Sequence, residues 1–384
     1  MRLAVIGAGP VGLTLALLAA RHLPQAQVCV FDARPPTADL GADPRTLALA
    51  LGSVQLLQSL AAWPADAAAP ITEVRVSQTP PGGAVDVRLR AAEEGVPMLG
   101  AVLRYGPLLD ALQTAWQAEC ARRPAKALLR LGQPVAGLKD LAGGVEVDAG
   151  IAEVFDLAVV AEGGVFGQQA RKALQRDYGQ TAWVGEVTLA PGPAGVAIER
   201  FTRGGPIALL PLPSPDGNRR AALVWCVAQA DDPVAALDDA QRLALLRQRL
   251  PADVAAALTA IGPLQAFALG LAAEATLVRG RQVRIGNAAQ TLHPVAGQGL
   301  NLGLRDAHTL VDALRRTPDV DAALARLAWR RAPDRWRTIL ATDLLARGFT
   351  WPGLWGLRGA GLAALQAIPA LRSALARQMM YGWR

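Results

Sequence analysis

Three glycines near the N-terminus have a spacing that suits phosphate binding. Gly7, Gly9 and Gly12 follow the apolar stretch RLAVI in the pattern Gly-x-Gly-x-x-Gly, and an apolar helical stretch comes next. The first glycine permits a tight turn, the second lets the backbone approach a pyrophosphate, and the third lets helix and strand pack closely. A second strand-like stretch, QVCVFD, ends at Asp32, where an acidic side chain would bind a ribose hydroxyl. Together these features predict a β-α-β unit that binds a dinucleotide.

A second group of glycines lies far from the first, in the stretch IGNAAQTLHPVAGQGLNLGLRDA, residues 285–307. A strand-like segment precedes it and a helical pattern follows it. The N-terminus of such a helix directs its positive dipole end and its free N–H groups towards an anion-accepting part of a ligand. The stretch places Gly286 and Asn287 after the strand-like segment, and around the expected helix start it has Gly297, Gln298, Gly299, Leu300 and Asn301.

This stretch resembles the second flavin-binding motif of the single-component FAD-dependent aromatic hydroxylases. In that motif Gly-Asp, a loop proline and Gly-x-Gly-x-Asn open a long helix, and here Gly286-Asn287 and Pro294 occupy the first two parts. The wording GNAAQTLHP is similar to that of the ubiquinone-biosynthesis hydroxylases, in particular the 2-polyprenyl-6-methoxyphenol hydroxylase branch. The resemblance spans nearly the whole chain and implies FAD as the cofactor. It also implies that the helix N-terminus faces the pyrimidine edge of the isoalloxazine ring.

Further cofactor-binding residues follow from the same resemblance. Arg45, in DPRTLALALG, matches the family's flavin-side arginine, and Arg104, in LRYGPLLDAL, matches the arginine that reaches FAD from a helix start. The family's Asp-Gly element is altered, because this chain has Glu162-Gly163 in VVAEGGVFGQQAR. That element is thought to touch both FAD and the route of NAD(P)H, so the change bears on NAD(P)H use more than on FAD binding.

The reaction implied by the resemblance places the hard chemistry on the cofactor. Reduced FAD would react with O2 as co-substrate to give a C4a-hydroperoxide, whose distal oxygen is transferred to an electron-rich ring. NAD(P)H would serve as a transient reductant, or another donor would replace it. His293 and Pro294, in the loop beside the flavin, are the catalytic candidates, since His293 could donate to an oxygen or help to deprotonate a phenol. A purely structural histidine is the alternative.

The elements that must position these residues predict an α/β fold. It has a Rossmann-like FAD-binding domain, an inserted antiparallel β-sheet substrate domain and a C-terminal helical region. The segment Ile71–Arg90 alternates like a hairpin around Pro-Pro-Gly-Gly. The predicted ranges are 1–70, 101–177 and 273–335 for the FAD-binding domain, 71–100 and 178–272 for the substrate domain, and 336–384 for the helical region.

Composition limits the classes of function. The chain has 384 residues, of which 52% are hydrophobic, enough for a large core in two lobes. The net charge of +7 comes without interleaved aromatic and basic residues, so we expect no nucleic-acid partner. Three cysteines and three histidines without ligand spacing predict no metal site.

The last forty residues are basic and apolar. After Asp343 there is no acidic residue, and Trp351, Trp355 and Trp383 accompany several arginines. This pattern suits a helix that lies on an anionic membrane surface. Packing on the body of the protein, or on a second subunit of a homo-oligomer, is the alternative. With no signal peptide and no spanning stretch, we expect a cytoplasmic protein peripherally associated with the bacterial inner membrane.

Three functions remain open at this point. The first is an FAD-dependent monooxygenase that hydroxylates the ring of a polyprenylated phenol in ubiquinone biosynthesis, with other ubiquinone-synthesis proteins as partners. The second is an FAD oxidoreductase of the same fold that acts on another aromatic or prenyl substrate. The third is a non-catalytic flavoprotein scaffold of the quinone-synthesis assembly, which the altered Glu162-Gly163 element would suit.

Overall fold

A mainly parallel sheet lies at the centre of the first lobe. The computed structural model describes residues 1–43, 45–78, 86–162, 173–214, 218–294, 297–348 and 355–382. The strands of this sheet are β1 (Arg2–Ile6), β2 (Gln27–Asp32), β8 (Ala127–Leu131), β12 (Leu157–Val160), β19 (Val278–Arg279) and β20 (Gln282–Arg284). Their order is β19-β20-β12-β1-β2-β8, and β1 lies parallel to both β2 and β12. The sheet is buried, as is typical of parallel strands that are uninterrupted apolar runs.

The second lobe is built on a large, mainly antiparallel sheet, most of whose strands lie between β12 and β19 in the chain, while β5 and β6 precede β12 and β21 follows β20. Its strands are β5 (Glu73–Gln78), β6 (Asp86–Arg90), β13 (Leu174–Leu189), β14 (Val196–Phe201), β15 (Pro206–Leu212), β16 (Arg219–Ala228), β17 (Leu258–Ile261), β18 (Gln265–Ala273) and β21 (Gln290–Thr291). The order is β21-β18-β13-β16-β15-β14-β5-β6, with β17 paired to β13. β5 and β6 pair in antiparallel fashion, as predicted for a hairpin, although the Pro-Pro-Gly-Gly turn lies outside the described residues.

Two small sheets complete the strands. One contains β3 (Thr46–Ala50), β4 (Ala68–Ile71) and β7 (Gly100–Arg104), and the other contains β9 (Gly137–Leu141), β10 (Gly144–Asp148) and β11 (Ala152–Phe155). The first of these lies between the lobes, because Ile71 and Val102 pack against Ala197 and Ala222 of the large sheet.

Helices flank both lobes. They are α1 (Pro10–His22), α2 (Leu51–Ser59), α3 (Tyr105–Arg122), α4 (Asp239–Arg249), α5 (Ala252–Ala257), α6 (Gln298–Arg316), α7 (Val320–Gly348), α8 (Trp355–Ala367) and α9 (Pro369–Tyr381). α6 crosses α1 closely, since a Cβ at Gly303 would lie 2.8 Å from a methyl carbon of Val11. This close approach brings the start of α6 beside the start of α1. The α/β fold with an inserted sheet and C-terminal helices is as predicted.

The C-terminal helices pack on the body of the protein. Leu362 of α8 and Met380 of α9 are buried with Leu89, Leu99 and Phe201. α7 runs as one helix across position 335, where the sequence suggested a boundary. Trp351 and Trp383 lie outside the described residues, as does the side chain of Trp355. Among the helices that the structure describes, none is both long and apolar enough to cross a membrane.

Candidate active site

In the first glycine loop, residues 7–12, two of the glycines are required by the packing of the protein and the third is not. Gly7 has φ of +107°, which disfavours other residues, and a Cβ at Gly12 would lie 1.9 Å from the carbonyl oxygen of Gly7. Around Gly9 the nearest atom to an added Cβ is the hydroxyl of Tyr105, at 3.7 Å. The protein therefore needs Gly7 and Gly12 for its own packing, whereas the space at Gly9 is left for a ligand at the N-terminus of α1.

Asp32 stabilises this loop from the end of β2. Its carboxylate accepts hydrogen bonds from the backbone N–H of Ala8, at 2.5 Å, and of Arg34, at 2.7 Å. A carboxylate has capacity for further donors, so a ribose hydroxyl can share the group. The guanidinium of Arg34 reaches back to the carbonyl of Ala8, at 3.4 Å, and adds a positive charge beside the loop that the sequence pattern did not single out.

Glu162 lies at the end of β12, against the same loop. A Cβ at Gly7 would lie 2.9 Å from Cβ of Glu162, so the glycine makes room for this residue. Burial raises the pKa of Glu162, and the charge of Asp32 raises it further. The two carboxyls therefore lie close enough together beside the first glycine loop for the charge of Asp32 to affect the pKa of Glu162. Gly163 lies outside the described residues.

The second glycine loop, residues 286–301, is held by contacts with distant parts of the chain. Gly286, with φ of +60°, packs on Val11 of α1, and Gly297, with φ of +57°, precedes α6. The side chain of Asn301 accepts a hydrogen bond from Ala50 N–H at 2.8 Å and donates to the carbonyl of Ala48 at 3.0 Å. These bonds join the start of α6 to β3, so Asn301 positions the loop through the backbone.

The remaining predicted contacts of this loop face outwards. Asn287 is exposed, and Gln298, Gly299 and Leu300 are partly exposed in the first turn of α6. A Cβ at Gly299 would meet no atom within 4 Å among the described residues. This free helix N-terminus, flanked by space, is suited to the polar edge of a flat ring.

His293 and Pro294 differ in their surroundings. His293 is 1% exposed, its Nε2 lies 3.1 Å from the side-chain oxygen of Gln180, and its ring packs edge-on against Tyr178. Burial lowers the pKa of His293 to about 4, so the ring is neutral at pH 7. Pro294 is exposed. A neutral histidine anchored to the large sheet fixes the loop in place, and its part in catalysis stays a prediction.

Arg45 and Arg104 meet in a cleft between the two lobes. The guanidinium of Arg45 lies 4.2 Å from the centre of the Tyr105 ring, and Arg104 forms a 2.5 Å ion pair with Glu186 of the large sheet. The cleft has a volume of about 470 Å³ and is also lined by Val184, Arg220 and Phe267. That volume lies in the usual range for small-molecule sites. Tyr105 was missed by the sequence analysis, although it directly follows Arg104.

A buried ionic network holds α6 against α7 and β21. Asp306, which is 0% exposed, accepts a 2.7 Å hydrogen bond from Nε of Arg331, and Arg331 also binds Asp334 at 2.6 Å. Arg335 donates to the side-chain oxygen of Gln290 at 2.6 Å, and Gln290 in turn donates to Asp306. The network ties α6 and α7 to the strand that precedes His293, so the start of α6 has a rigid base.

An FAD molecule fits the groups that these two loops present. Gly9 and Gly299 leave room where a side chain would fill it, and each lies at a helix N-terminus that favours negative charge. Asp32 stands where a ribose hydroxyl would lie in a β-α-β unit. The contact of Gly303 and Gly286 with Val11 brings the two loops together, so one dinucleotide could span both.

Comparison with known proteins agrees with this geometry. The FAD binding domain family matches residues 159–355, just over half of the chain. The ubiquinone hydroxylase UbiL of Rhodospirillum rubrum is 31% identical over 366 residues, which cover 90% of this chain and 81% of that protein. The 3-demethoxyubiquinol 3-hydroxylase of Escherichia coli is 30% identical and the match covers 96% of both chains.

Solved structures with the same fold are more distant in sequence. Klebsiella pneumoniae HpxO, complexed with FAD and uric acid, has a TM-score of 0.73 at 18% identity, with 100% of this chain and 97% of that chain covered. Pseudomonas aeruginosa PqsL, in complex with 2-aminobenzoylacetate, has a TM-score of 0.73 at 20% identity, with 94% and 99% covered. At these identities the likeness establishes the fold alone.

Proposed function

The chain belongs to the FAD-dependent hydroxylases of ubiquinone biosynthesis, and from that premise we propose that its substrate is a prenylated phenol whose ring it oxygenates. It is an FAD-dependent monooxygenase. The observation that carries the substrate class is an apolar cavity at the start of α6. Besides Gln298 and Asn301, the cavity is lined by Ile71, Val74, Leu89, Leu99 and Met379.

The residues of the chain divide the work between the two glycine loops. The first loop and Asp32 bind the dinucleotide part of FAD, as the space at Gly9 allows. The N-terminus of α6 holds the ring and, with the buried network behind it, keeps it from shifting. FAD itself supplies the redox chemistry with O2. The apolar lining beside Gln298 excludes water from the reacting ring.

We propose NAD(P)H or another donor as a reductant that visits without a Rossmann domain of its own. The support is that the sequence contains one dinucleotide fingerprint, at Gly7, Gly9 and Gly12. The cleft beside Arg45 and Arg104 offers positive charge for such a visitor.

Peripheral membrane association is a further part of the proposal. Ile368, between α8 and α9, and Leu371 of α9 are each 46% exposed, and Leu340 and Leu344 of α7 are more than half exposed. Arg372 and Arg377 lie on the same helix as Leu371. An apolar substrate is most concentrated in a membrane, so this basic, apolar surface would bring the enzyme to it. Flotation with vesicles of anionic and of neutral lipid tests the proposal, with Leu371→Glu as the variant expected to lose binding. Equal flotation of the variant would contradict it, and dimer formation without vesicle binding would favour a second copy as the partner of this surface.

The substrate proposal is tested by lipid analysis of cells that lack the chain, grown in air. We expect a polyprenyl phenol that is short of one ring oxygen to accumulate while ubiquinone falls, and its structure names the carbon. The wild-type chain should restore ubiquinone, whereas Gly9→Trp, which fills the space at the first loop, should not. Restoration by Gly9→Trp would favour the scaffold function, and an unchanged profile would favour another substrate.

A further inference from the structure

One acidic residue faces the space between the lobes from the middle of the large sheet. Along β14 the side chains alternate, and Ile198 packs on the outer side with Leu246 and Val254 of α4 and α5. Ala197 packs on the opposite side, against Ile71 and Val102 of the small sheet between the lobes. Glu199 shares the side of Ala197 because successive residues of a strand alternate. Its carboxyl therefore points towards the FAD-binding lobe.

The side chains that flank Glu199 on the neighbouring strands are short, whereas Phe201, two residues further along β14, is the large side chain on the same face. Ala208 of β15 and Val76 of β5 lie directly opposite it, and Val224 of β16 lies beyond Ala208. We call this patch of the large sheet the inner face: Ala197, Glu199, Ala208 and Val224. The side chain of Glu199 is therefore longer than those beside it across the sheet, and the nearest cavity is the one that Val74 of β5 lines.

The carboxyl of Glu199 has no partner in the described part of the chain. It makes no hydrogen bond or ion pair there, and burial alone raises its pKa to about 7. Some of the side chain nevertheless remains accessible to water. A group that protein surrounds on every side and that still keeps accessible surface faces an internal space. An unpartnered carboxyl costs stability, so a structural role does not explain it.

Glu199 is close to the start of α6. Val74, on the same face of β5, pairs with Ala197 and lines the apolar cavity that includes Gln298 and Asn301. From the strand spacing and the rise per residue, the Cα of Glu199 lies roughly 8 Å from that of Val74. The side chain is thus one row from the cavity where the ring of the flavin and the substrate would meet.

We propose that Glu199 is the residue that binds the substrate hydroxyl and receives its proton. The carboxylate accepts a hydrogen bond from the ring hydroxyl of the phenol, the O–H bond breaks, and the proton moves to the carboxylate. The electron pair stays on the phenolate oxygen and enriches the ring carbons ortho and para to it, which are the carbons that an electrophilic oxygen attacks. No oxidant beyond that of the hydroxylation itself takes part. This inference rests on the proposed phenol substrate.

The charged groups around Glu199 leave it free for this role. The thiol of Cys226, on β16, is the titratable group coupled to it among the described residues, and burial raises the pKa of that thiol. Arg75 of β5 pairs with Asp86 and Asp253 on the outer side. The other charged groups of the covering elements are paired as Arg372–Glu93, Arg377–Glu94, Arg45–Asp43 and Arg104–Glu186.

A pH profile of the FAD-loaded full chain tests the proton transfer, with 2-geranylphenol as substrate. Glu199→Gln keeps the shape but cannot take a proton, and we expect kcat to fall about 100-fold. We expect the rate of the wild-type enzyme to fall below about pH 7, where Glu199 is protonated, and this loss should vanish in the variant. Glu199→Asp should recover part of the rate. Glu146→Gln, on a half-buried strand residue of the β9–β11 sheet, is the matched control and should behave as wild type. An unchanged rate and profile in Glu199→Gln, or loss of FAD binding in it, would overturn the proposal.

A binding measurement separates this proposal from the proposed function. The visible absorbance of bound FAD reports binding of 2-geranylphenol and of its methyl ether, which lacks the donor. Wild type should bind the phenol at least about 10-fold more tightly than the ether, and Glu199→Leu should bind both equally. If the wild-type protein binds the phenol more tightly than the ether but does not hydroxylate it, the proposed function is wrong, while the proposal that Glu199 binds the hydroxyl is supported. If the wild-type protein hydroxylates the phenol but binds the two ligands equally, the proposed role of Glu199 is wrong, while the proposed function is supported. Glu199→Leu should also melt at or above the wild-type temperature, whereas a lower temperature would indicate a structural residue.

Discussion

The two glycine loops each lead into a helix N-terminus and are proposed to bind one FAD molecule, yet they are held in place by different means. The first, residues 7–12, is set mainly by contacts within one β-α-β unit, of Gly12 with Gly7 and of Asp32 with Ala8, and its one distant contact named above is with Glu162 after β12. The second, residues 286–301, is set by side chains that reach across the molecule, from Asn301 to β3 and from His293 to Gln180. The dinucleotide end of the site is thus a local structure, whereas the flavin end depends on how the lobes are assembled.

The difference has a chemical reason. Binding a pyrophosphate requires backbone N–H groups in one fixed turn, and glycines with a strand on each side provide that turn alone. Placing a substrate ring against a flavin requires two lobes in register, so the loop that holds the flavin must be tied to both. An added Cβ would meet no described atom within 4 Å at Gly299 and only the Tyr105 hydroxyl, at 3.7 Å, at Gly9, so these two positions are the proposed ligand side of the loops.

The largest effect is expected where the first loop packs on itself. Gly12→Ala places a methyl group 1.9 Å from the carbonyl oxygen of Gly7, so helix and strand must separate. We expect a loss of more than about 4 kcal/mol in unfolding free energy, or no folded protein at all. Gly361→Ala, at a helix glycine with open space around it, should instead gain about 0.5–1 kcal/mol. Denaturant melts measure both, and equal stability of the two variants would show that the loop is less tightly packed than described.

The next largest effect on stability is expected in the buried ionic network that supports the second loop. Asp306→Asn removes the charge that faces Arg331 in the buried network and should cost about 2–3 kcal/mol, because the buried guanidinium loses one of its two carboxylate partners and keeps Asp334. Asp321→Asn, whose carboxyl is 65% exposed beside Arg281, should cost under about 1 kcal/mol. Urea melts at neutral pH compare the two. A small effect of Asp306→Asn would mean that the second loop does not depend on distant support.

His293 should make the second loop sensitive to acid. Burial lowers its pKa from 6.5 to about 4, so the unfolded chain takes up a proton before the folded protein does. The contribution to stability is complete above pH 6.5 and is lost as the pH falls towards about 4, by up to about 3 kcal/mol. His293→Gln should flatten this part of the stability profile, and His308→Gln, at an exposed position of α6, should not. Parallel profiles for wild type and His293→Gln would contradict the burial of a neutral ring.

Substitutions at Gly299 and Gly9 are expected to have the smallest effect on unfolding stability and a clear effect on FAD affinity. Gly299→Leu should leave the stability of the FAD-free protein unchanged or raise it, since leucine is a better helix former and no described atom lies in the way. FAD affinity should fall at least about 10-fold, measured by titration of fluorescence. Gly9→Leu should do the same at the other loop. If either variant binds FAD as wild type does, that loop lies outside the cofactor site.

The sequence alone was sufficient for the local half of this site. Gly7, Gly12 and Asp32 lie within one β-α-β unit, and their spacing follows from the geometry of a single turn. It was not sufficient for Tyr105 or Glu199, because their positions depend on the pairing of distant strands. The bond from Asn301 to Ala50 joins residues 251 positions apart, which no spacing rule can anticipate. The network behind Asp306 joins it to Arg331 and Gln290, and through Gln290 to Arg335, on separate elements that the sequence pattern alone does not bring together.

The most direct test of the whole account is a single turnover with labelled oxygen. FAD bound to the full-length chain is photoreduced, mixed with the phenol extracted from cells that lack the chain, and exposed to ¹⁸O2. We expect one ¹⁸O atom in a new ring hydroxyl of the product, because the chain is an FAD-dependent monooxygenase and that phenol is its proposed substrate. A product without ¹⁸O, or no product from fully reduced and folded protein, would contradict the account.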